Sequence, residues 1–222
     1  HWLLMADILI VIAPQDFKDE EYFLVREELE KAGHKVLVSS LQDTATSVEG
    51  KQVVTDVLID EADVADYDAL VFVGGAGASV YFENEKVLEM CYQTIEQGKL
   101  LGAICIAPGI LARAGVLAGK DATSFESELS TLDEAGAITS DSHVVVDGQI
   151  VTADGPQASN EFGKKIAEIL NGPEREEEIV TETKEYYPSN GGSQEKTDEG
   201  FDKNEPYYGS EEKHHEKRVV EE

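Results

Sequence analysis

The sequence predicts an α/β fold with a mostly parallel β-sheet and helices on both faces. Short apolar runs alternate with longer segments of helical period over most of the chain, and this alternation is typical of a parallel sheet covered by helices. The first helical segments each end in glycine, a common stop signal. Asp147-Gly148 separates two β-branched runs, which predicts an antiparallel hairpin late in the sheet.

Six apolar runs have the length of β-strands. They span residues 7–13, 35–39, 69–73, 100–104, 144–146 and 150–152. One or two further short strands are expected between residues 51 and 68, without defined bounds. The first run, "ADILIVIA", lacks the basic start and the small-residue cleavage site of a secretion signal, so it is interpreted as a buried strand.

Four segments have the apolar spacing of helices. They span residues 19–33, about 84–97, 108–115 and 157–172. The first carries a helically spaced set, and Gly33 supplies its stop. The members of this set are Phe23, Leu24, Glu27, Glu28 and Lys31. The last helix places Phe162, Ile166, Ile169 and Leu170 on one side.

Composition divides the 222 residues into one domain and an appendage. Apolar residues cluster up to residue 172, whereas residues 173–222 are polar and charged, which predicts an acidic, disordered tail. The domain is therefore expected to span residues 6–172. The segment before the domain, residues 1–5, is interpreted as an N-terminal remnant that ends in the natural start, Met5.

Charge and cysteine content exclude some classes of partner. The net charge is −28, and an acidic surface repels nucleic acid and anionic membranes, so neither is expected as a partner. No apolar run has the length of a membrane span. The two cysteines, Cys91 and Cys105, indicate no disulfide framework and predict a cytoplasmic location.

Cys105 lies where an apolar run ends and a proline-led helical run begins, in "LLGAICIAPGILARAG". A nucleophile on such a tight turn needs small residues two positions to either side, and Ala103 and Ala107 are there. Pro108 suits the first helical turn. The helix N-terminus is expected to lower the pKa of the Cys105 thiol; the alternative is an inert, buried cysteine. Cys91 shares an apolar helical face and is predicted to be a core residue.

Two further features follow predicted strands. "LVFVGGAGAS" places Gly74 and Gly75 directly after the third strand; this tight turn is favoured over a phosphate loop because no Lys or Arg is near. If it neighbours Cys105, the N–H groups of Gly75 and Ile106 are expected to form an oxyanion hole. A carboxyl from the acidic loop "PQDFKDEEYF", buried beside the thiol, would stay protonated and donate a hydrogen bond to the sulfur.

The sequence resembles the DJ-1/PfpI family of the class I glutamine-amidotransferase-like superfamily over residues 6–172. The motifs are "AICIAPGILARAGVLAGKDATSF", "VFVGG" and "VVVDGQIVTADGPQASNEF". The resemblance implies a flavodoxin-like three-layer sandwich, a homodimer, and a site made of Cys105, Gly75 and a glutamate. Counting back from Gly33 selects Glu21 as that glutamate, whereas counting forward from the first strand selects Glu20. Glu21 is preferred because helix register shifts less easily than loop length.

One departure from the family concerns histidine. Protease-like members place a histidine directly after the cysteine as general base, but this chain has Ile106 there. Other members place a histidine in the segment after the helix that follows the cysteine, where this chain has Phe125. Structural or surface roles are expected for His34 and His143. The missing histidine disfavours a PfpI-type cysteine peptidase, which becomes the third hypothesis.

Two other hypotheses for function rank above the peptidase. The first is glyoxalase III-like or deglycase-like chemistry on a small reactive carbonyl, with Cys105 as nucleophile, Gly75 and Ile106 holding the oxyanion, and Glu21 relaying protons. The second is a non-enzymatic redox-sensing or chaperone-like protein in which an oxidant modifies Cys105. No cofactor and no metal are expected, because ligand-spaced His, Cys and Asp clusters and a dinucleotide fingerprint are absent from the sequence.

Overall fold

The structure, a computed structural model, describes residues 5–172 and contains twelve strands and five α-helices there. The strands are β1 (Asp7–Val11), β2 (Gln15–Phe17), β3 (Lys35–Ser40), β4 (Thr44–Ser47), β5 (Gln52–Val54), β6 (Val57–Leu58), β7 (Ala69–Phe72), β8 (Leu100–Ile104), β9 (Asp121–Ala122), β10 (Ile138–Thr139), β11 (Val144–Asp147) and β12 (Ile150–Ala153). The helices are α1 (Asp19–Lys31), α2 (Glu85–Glu96), α3 (Pro108–Arg113), α4 (Leu129–Glu134) and α5 (Ser159–Asn171). Most of the expected N-terminal remnant and the expected tail, residues 173–222, lie outside the described residues.

The central sheet confirms the predicted α/β fold. Its seven strands lie in the order β11-β12-β8-β7-β1-β3-β6. Only β11 and β12 pair in antiparallel fashion, with Val144 opposite Ala153, and the other neighbours in this sheet are parallel. The predicted hairpin at Asp147-Gly148 is therefore present. Both β5 and β6 fall in the segment that was expected to hold short strands.

Both faces of the sheet are covered. Every residue of β7 and β8 is buried, and so are the last four of β1; consecutive buried positions in a strand require packing on both sides. Helices α1 and α5 pack against each other and against the sheet, while α2 and α3 pack together on β8. Among the residues described, no helix has the length and apolar character to cross a bilayer.

Helix α1 is present as predicted, and its buried apolar residues are not those of the helically spaced set. Tyr22, Val25 and Leu29 are its buried apolar residues, whereas Phe23, in the helically spaced set of the sequence, is 36% exposed. Helix α5 approaches α1 closely, since a Cβ added to Gly163 would lie 2.9 Å from the Cβ of Glu28 and 3.2 Å from the Cα of Val25. Because glycine allows this close approach, the Val25 side of α1 faces the core.

Some short elements were not predicted. A three-stranded sheet has the order β2-β4-β5, and β9 pairs with β10. Helix α4 has six residues. Strands of two to four residues carry too few side chains to show a clear alternation, so they escape detection by pattern.

The acidity of the domain predicts a salt-dependent stability. Of the 46 acidic and 18 basic side chains in the chain, 30 and 11 lie before residue 173, a net charge of −19. Such a net charge disfavours the compact state through self-repulsion. Salt screens this repulsion, with a Debye length of about 3 Å at 1 M. We therefore expect the melting temperature to rise as KCl is increased from 0.05 to 2 M. A flat or falling curve would contradict this expectation.

Candidate active site

Cys105 occupies a strained turn directly after β8. Its φ is +63°, a left-handed conformation that costs a non-glycine residue about 1–3 kcal/mol. The turn is held on both sides: the Cys105 N–H donates to the Ala153 carbonyl at 2.9 Å, and the Phe125 N–H donates to the Cys105 carbonyl at 2.7 Å. Helix α3 begins three residues later at Pro108, as expected. Strain kept by surrounding bonds is common at functional sites.

The Gly74-Gly75 turn lies beside Cys105. Strand β7 pairs with β8 and places Phe72 opposite Ala103, so the residues after both strands share one edge of the sheet. A Cβ built on Gly74 would lie 2.6 Å from the Cβ of Cys105 and 2.6 Å from Oε2 of Glu21. The thiol and the carboxyl group therefore meet over Gly74, and no larger residue fits between them.

Gly75 is required for a second reason. Its φ is +90°, and a Cβ there would lie 2.4 Å from the Asp16 carbonyl oxygen and 2.6 Å from the Lys18 nitrogen. Glycine alone adopts such a conformation readily and leaves room for this contact. The loop before α1 is thereby pressed against the turn after β7, and the Lys18 N–H donates to the Gly74 carbonyl at 3.1 Å.

Glu21 points inward from the first turn of α1 and is 0% exposed. Its Oε2 accepts from the Gly74 N–H at 2.8 Å. Its Oε1 has no partner of ordinary hydrogen-bond geometry among the described residues and is available to the neighbouring thiol. Glu20, the alternative left by the sequence, pairs with Lys18 at 3.3 Å and has a side chain 43% exposed.

The backbone N–H groups of Gly75 and Ile106 oppose the effect of burial and lower the pKa of the Cys105 thiol. They were expected to form an oxyanion hole; in the resting protein they stabilise negative charge on the sulfur itself. Ile106 thus takes part through its main chain. Its side chain is partly buried and packs against the core.

The two ionisable groups disfavour each other's charge. Burial raises the pKa of Glu21 to about 7, although the neighbouring Cys105 thiol and the hydrogen bond from the Gly74 N–H oppose the shift. Burial, followed by the negative charge of Glu21, raises the pKa of Cys105 to about 12. The pair loses its first proton near pH 7 and keeps the second to a much higher pH, so above about pH 7 the two groups hold one proton in common.

The expectation of a simply lowered thiol pKa is therefore wrong. A helix N-terminus acts over one turn and contributes modestly, whereas Cys105 is only 8% exposed and lies beside a buried carboxyl group. Desolvation outweighs the helix effect. Thiolate can form only when the shared proton moves to Glu21, and the N–H groups of Gly75 and Ile106 favour that arrangement.

The other cysteine and the histidines are placed elsewhere. Cys91 is fully buried in α2, and burial raises its pKa, which confirms a core role. His34 is buried and accepts the Ala6 N–H at 3.3 Å, while exposed His143 pairs with Asp154 at 2.7 Å. Both bear out the structural and surface roles expected of them.

A cavity of about 300 Å³ at the same edge of the sheet was not predicted, and Cys105 is not among the residues that line it. Its lining residue Phe125 donates one of the two backbone hydrogen bonds that hold the Cys105 turn, and its lining residue Asp154 follows Ala153, which accepts the other. A signal for it exists in the sequence: Asp154 follows β12, a parallel neighbour of β8, so it must lie at the same edge. Within residues 5–172, no group of three or more His, Cys, Asp or Glu side chains is arranged to hold a metal ion.

Comparison with known proteins decides the family. The model of the DJ-1/PfpI family matches residues 6–169. The chain belongs to the DJ-1/PfpI family. A deglycase of Thermococcus kodakarensis is 34% identical over 73% of this chain and 98% of its own length. A glutathione-independent glyoxalase of Caenorhabditis elegans is 28% identical over 78% of this chain and 92% of its own.

Solved structures of DJ-1/PfpI proteins share the fold. A ThiJ/PfpI domain protein from Brachyspira murdochii matches with a TM-score of 0.74 and 32% identity, over 77% of this chain and 99% of that protein. The flavodoxin-like architecture is thereby confirmed for the domain. As a DJ-1/PfpI protein with relatives named deglycase and glyoxalase, the chain combines a known fold with the cysteine, glutamate and glycine turn described above.

Proposed function

We propose that the protein is a thiol-dependent enzyme that acts on small reactive carbonyls, in glyoxalase-like or deglycase-like chemistry. The observation that supports this most is that Cys105 and Glu21 both contact Gly74, while the N–H groups of Gly75 and Ile106 favour the charged form of the sulfur. A thiolate and a neutral acid in contact supply a nucleophile and a proton donor together. The names of two relatives point to the same chemistry.

The first step on a 2-oxoaldehyde forms a carbon–sulfur bond. The Cys105 thiolate attacks the aldehyde carbon, the carbonyl π electrons move to oxygen, and the Glu21 proton neutralises that oxygen to give a hemithioacetal. As negative charge moves from sulfur to oxygen, the N–H groups of Gly75 and Ile106 would donate to that oxygen, which is the oxyanion role expected of them.

Glu21 then acts as a base and afterwards as an acid. Its carboxylate removes the proton from the carbon bonded to sulfur and returns it to the neighbouring carbon, so the hemithioacetal becomes the thioester of a 2-hydroxy acid. Water cleaves the thioester, releases the acid and regenerates the thiol. The net reaction adds one water and needs no oxidant. A pKa near 7 suits both proton transfers.

A second candidate function is redox sensing through Cys105. One observation favours it: Glu21 Oε1 is buried without a partner of ordinary geometry among the described residues, and a sulfinic oxygen on Cys105 would share a hydrogen bond with it. Oxidation selects thiols with thiolate character and access to solvent. An exposure of 8% limits that access to small oxidants.

The peptidase hypothesis has less support than the carbonyl-converting and redox-sensing hypotheses. Cysteine peptidases use an imidazole beside the thiol as general base. Both histidines of the described domain are engaged elsewhere, His34 with Ala6 and His143 with Asp154. The homodimer and the cytoplasmic location inferred from the sequence stay predictions.

The test compares turnover with oxidation. Purified wild-type protein is incubated with methylglyoxal, without thiol cofactor, and both the loss of substrate and the formation of lactate are measured over many equivalents. In parallel, one equivalent of peroxide is added and the intact mass is recorded. We expect catalytic lactate formation that requires Cys105. No such turnover, together with a gain of oxygen at Cys105, would favour the sensor instead.

A further inference from the structure

Asp19 is a buried carboxylate that the proposed chemistry does not use. It is the first residue of α1, two positions before Glu21, and is only 3% exposed. It accepts hydrogen bonds from the Ser47 hydroxyl at 2.7 Å and the Glu49 N–H at 3.1 Å, and it lies 3.4 Å from the Lys51 ammonium group. A charge is buried this deeply only when it is well paired.

The partners of Asp19 belong to one closed loop. Residues 47–51 connect β4 to β5, the Ser47 N–H donates to the Lys51 carbonyl at 2.8 Å, and the Lys51 N–H donates to the Ser47 hydroxyl at 3.0 Å. The loop is also bound to the segment before α1, because the Val48 N–H donates to the Phe17 carbonyl at 3.0 Å. Asp19 is thus tied to a rigid unit rather than to separate mobile side chains.

The first turn of α1 depends on this attachment. Lys18, the residue before the helix, makes no side-chain capping bond. On its other side the same segment is pressed against the Gly74-Gly75 turn, through the Lys18 N–H and the contacts around Gly75. Glu21 therefore extends from a turn that is held between the loop on one side and the glycine turn on the other.

We propose that Asp19 is a positioning residue, which holds the start of α1 so that Glu21 reaches the Cys105 sulfur and the Gly74 N–H. The three-stranded sheet β2-β4-β5 is then part of the support of the site. This inference rests on the proposed function only in its use of the Cys105–Glu21 pair. The hydrogen bonds of Asp19 and the connections of the 47–51 loop, on which the inference depends, involve no substrate.

The test measures how pH changes the alkylation rate of Cys105 by iodoacetamide, by intact mass. Cys91 is fully buried, so folded protein reports Cys105. The variants are Asp19→Ala, Asp19→Asn and Ser47→Ala, with Glu20→Gln as matched control from the same helical turn. Melting temperatures are recorded for all, and the double variant of Asp19→Ala with Ser47→Ala completes a cycle.

Loss of the Asp19 contacts is expected to move the alkylation midpoint upward from near 7, by about one pH unit, because a thiol without its carboxyl partner titrates closer to an ordinary cysteine, about 8.5. Asp19→Asn and Ser47→Ala should shift it upward by less, and the double variant no more than Asp19→Ala. Glu20→Gln should not raise it, because the charge of Glu20 raises the Glu21 pKa and its loss can only lower the midpoint slightly. If Asp19→Ala does not fold, the two milder variants decide.

The outcomes separate two failures. A wild-type midpoint near that of free cysteine would overturn the shared-proton pair, whatever the variants do. A wild-type midpoint near 7 that stays unchanged in the folded Asp19 and Ser47 variants would overturn the positioning role and leave the pair intact. A lowered melting temperature with an unmoved midpoint counts against the inference as well, because it indicates a purely structural residue.

Discussion

Cys105→Ala is expected to lower kcat/KM for methylglyoxal by about 10⁴-fold or more, the scale on which loss of a catalytic nucleophile acts. The attacking atom disappears, and neither Glu21 nor the two N–H groups can replace it. The change removes one sulfur atom and adds no atom to a site that is 8% exposed. No clash arises, so the fold should persist. Steady-state kinetics of lactate formation measure the effect.

Cys91→Ala is the matched control, since it removes the other cysteine of the chain. It should leave kcat/KM within about twofold, while a buried packing residue lost from α2 lowers stability by about 1 kcal/mol. If Cys105→Ala retains more than a tenth of the wild-type rate, the nucleophile has been misassigned.

Glu21→Gln is expected to lower kcat by 10²–10⁴-fold, the typical contribution of a positioned proton donor and acceptor. The amide keeps the shape of the carboxyl group and its contact with the Gly74 N–H, but it cannot take up and return a proton. Glu20→Gln, next to it on the same helix and paired with Lys18 at the surface, should change kcat by less than twofold. Equal effects of the two variants would contradict the assignment of Glu21.

Glu21→Gln should also change how stability depends on pH. The folded-state pKa of Glu21 is raised to about 7 from an ordinary value of 4.5, so the folded protein binds more protons than the unfolded chain between these values. The resulting contribution of Glu21 to the free energy of unfolding is roughly 3 kcal/mol; it is fully present below pH 4.5 and is lost as pH rises through 7. Urea denaturation of Glu21→Gln across this range should show a flatter profile, and an unchanged slope would contradict the shifted pKa.

Much of the site could be predicted because it lies where strands end. Cys105 follows β8 and Gly75 follows β7, and parallel neighbours bring such residues to one edge. Glu21 was correctly preferred over Glu20 as the inward glutamate, because the spacing to Gly33 is fixed by helix geometry, whereas the loop before α1 contains Asp16 with a positive φ and is irregular.

What escaped prediction depends on contacts between distant residues. The thiol pKa was expected to fall, but burial and the charge of Glu21 dominate it, and both arise from packing that no local pattern encodes. The attachment of Asp19 joins residues 28 positions apart through Ser47. Strand β4 and its neighbours are too short to show a period, so the loop that holds Asp19 could not be placed.

The central claim is that Cys105 and Glu21 share one proton, and the pH dependence of Cys105 alkylation in the wild-type protein tests it most directly. The pair should release its first proton near pH 7, so thiolate and alkylation rate should rise with a midpoint near 7. In Glu21→Gln the midpoint should move upward, because the carboxyl group that accepts the proton is gone. A wild-type midpoint at or above about 8.5, the value of an unperturbed cysteine, would contradict the shared proton, and so would a midpoint that does not change in Glu21→Gln.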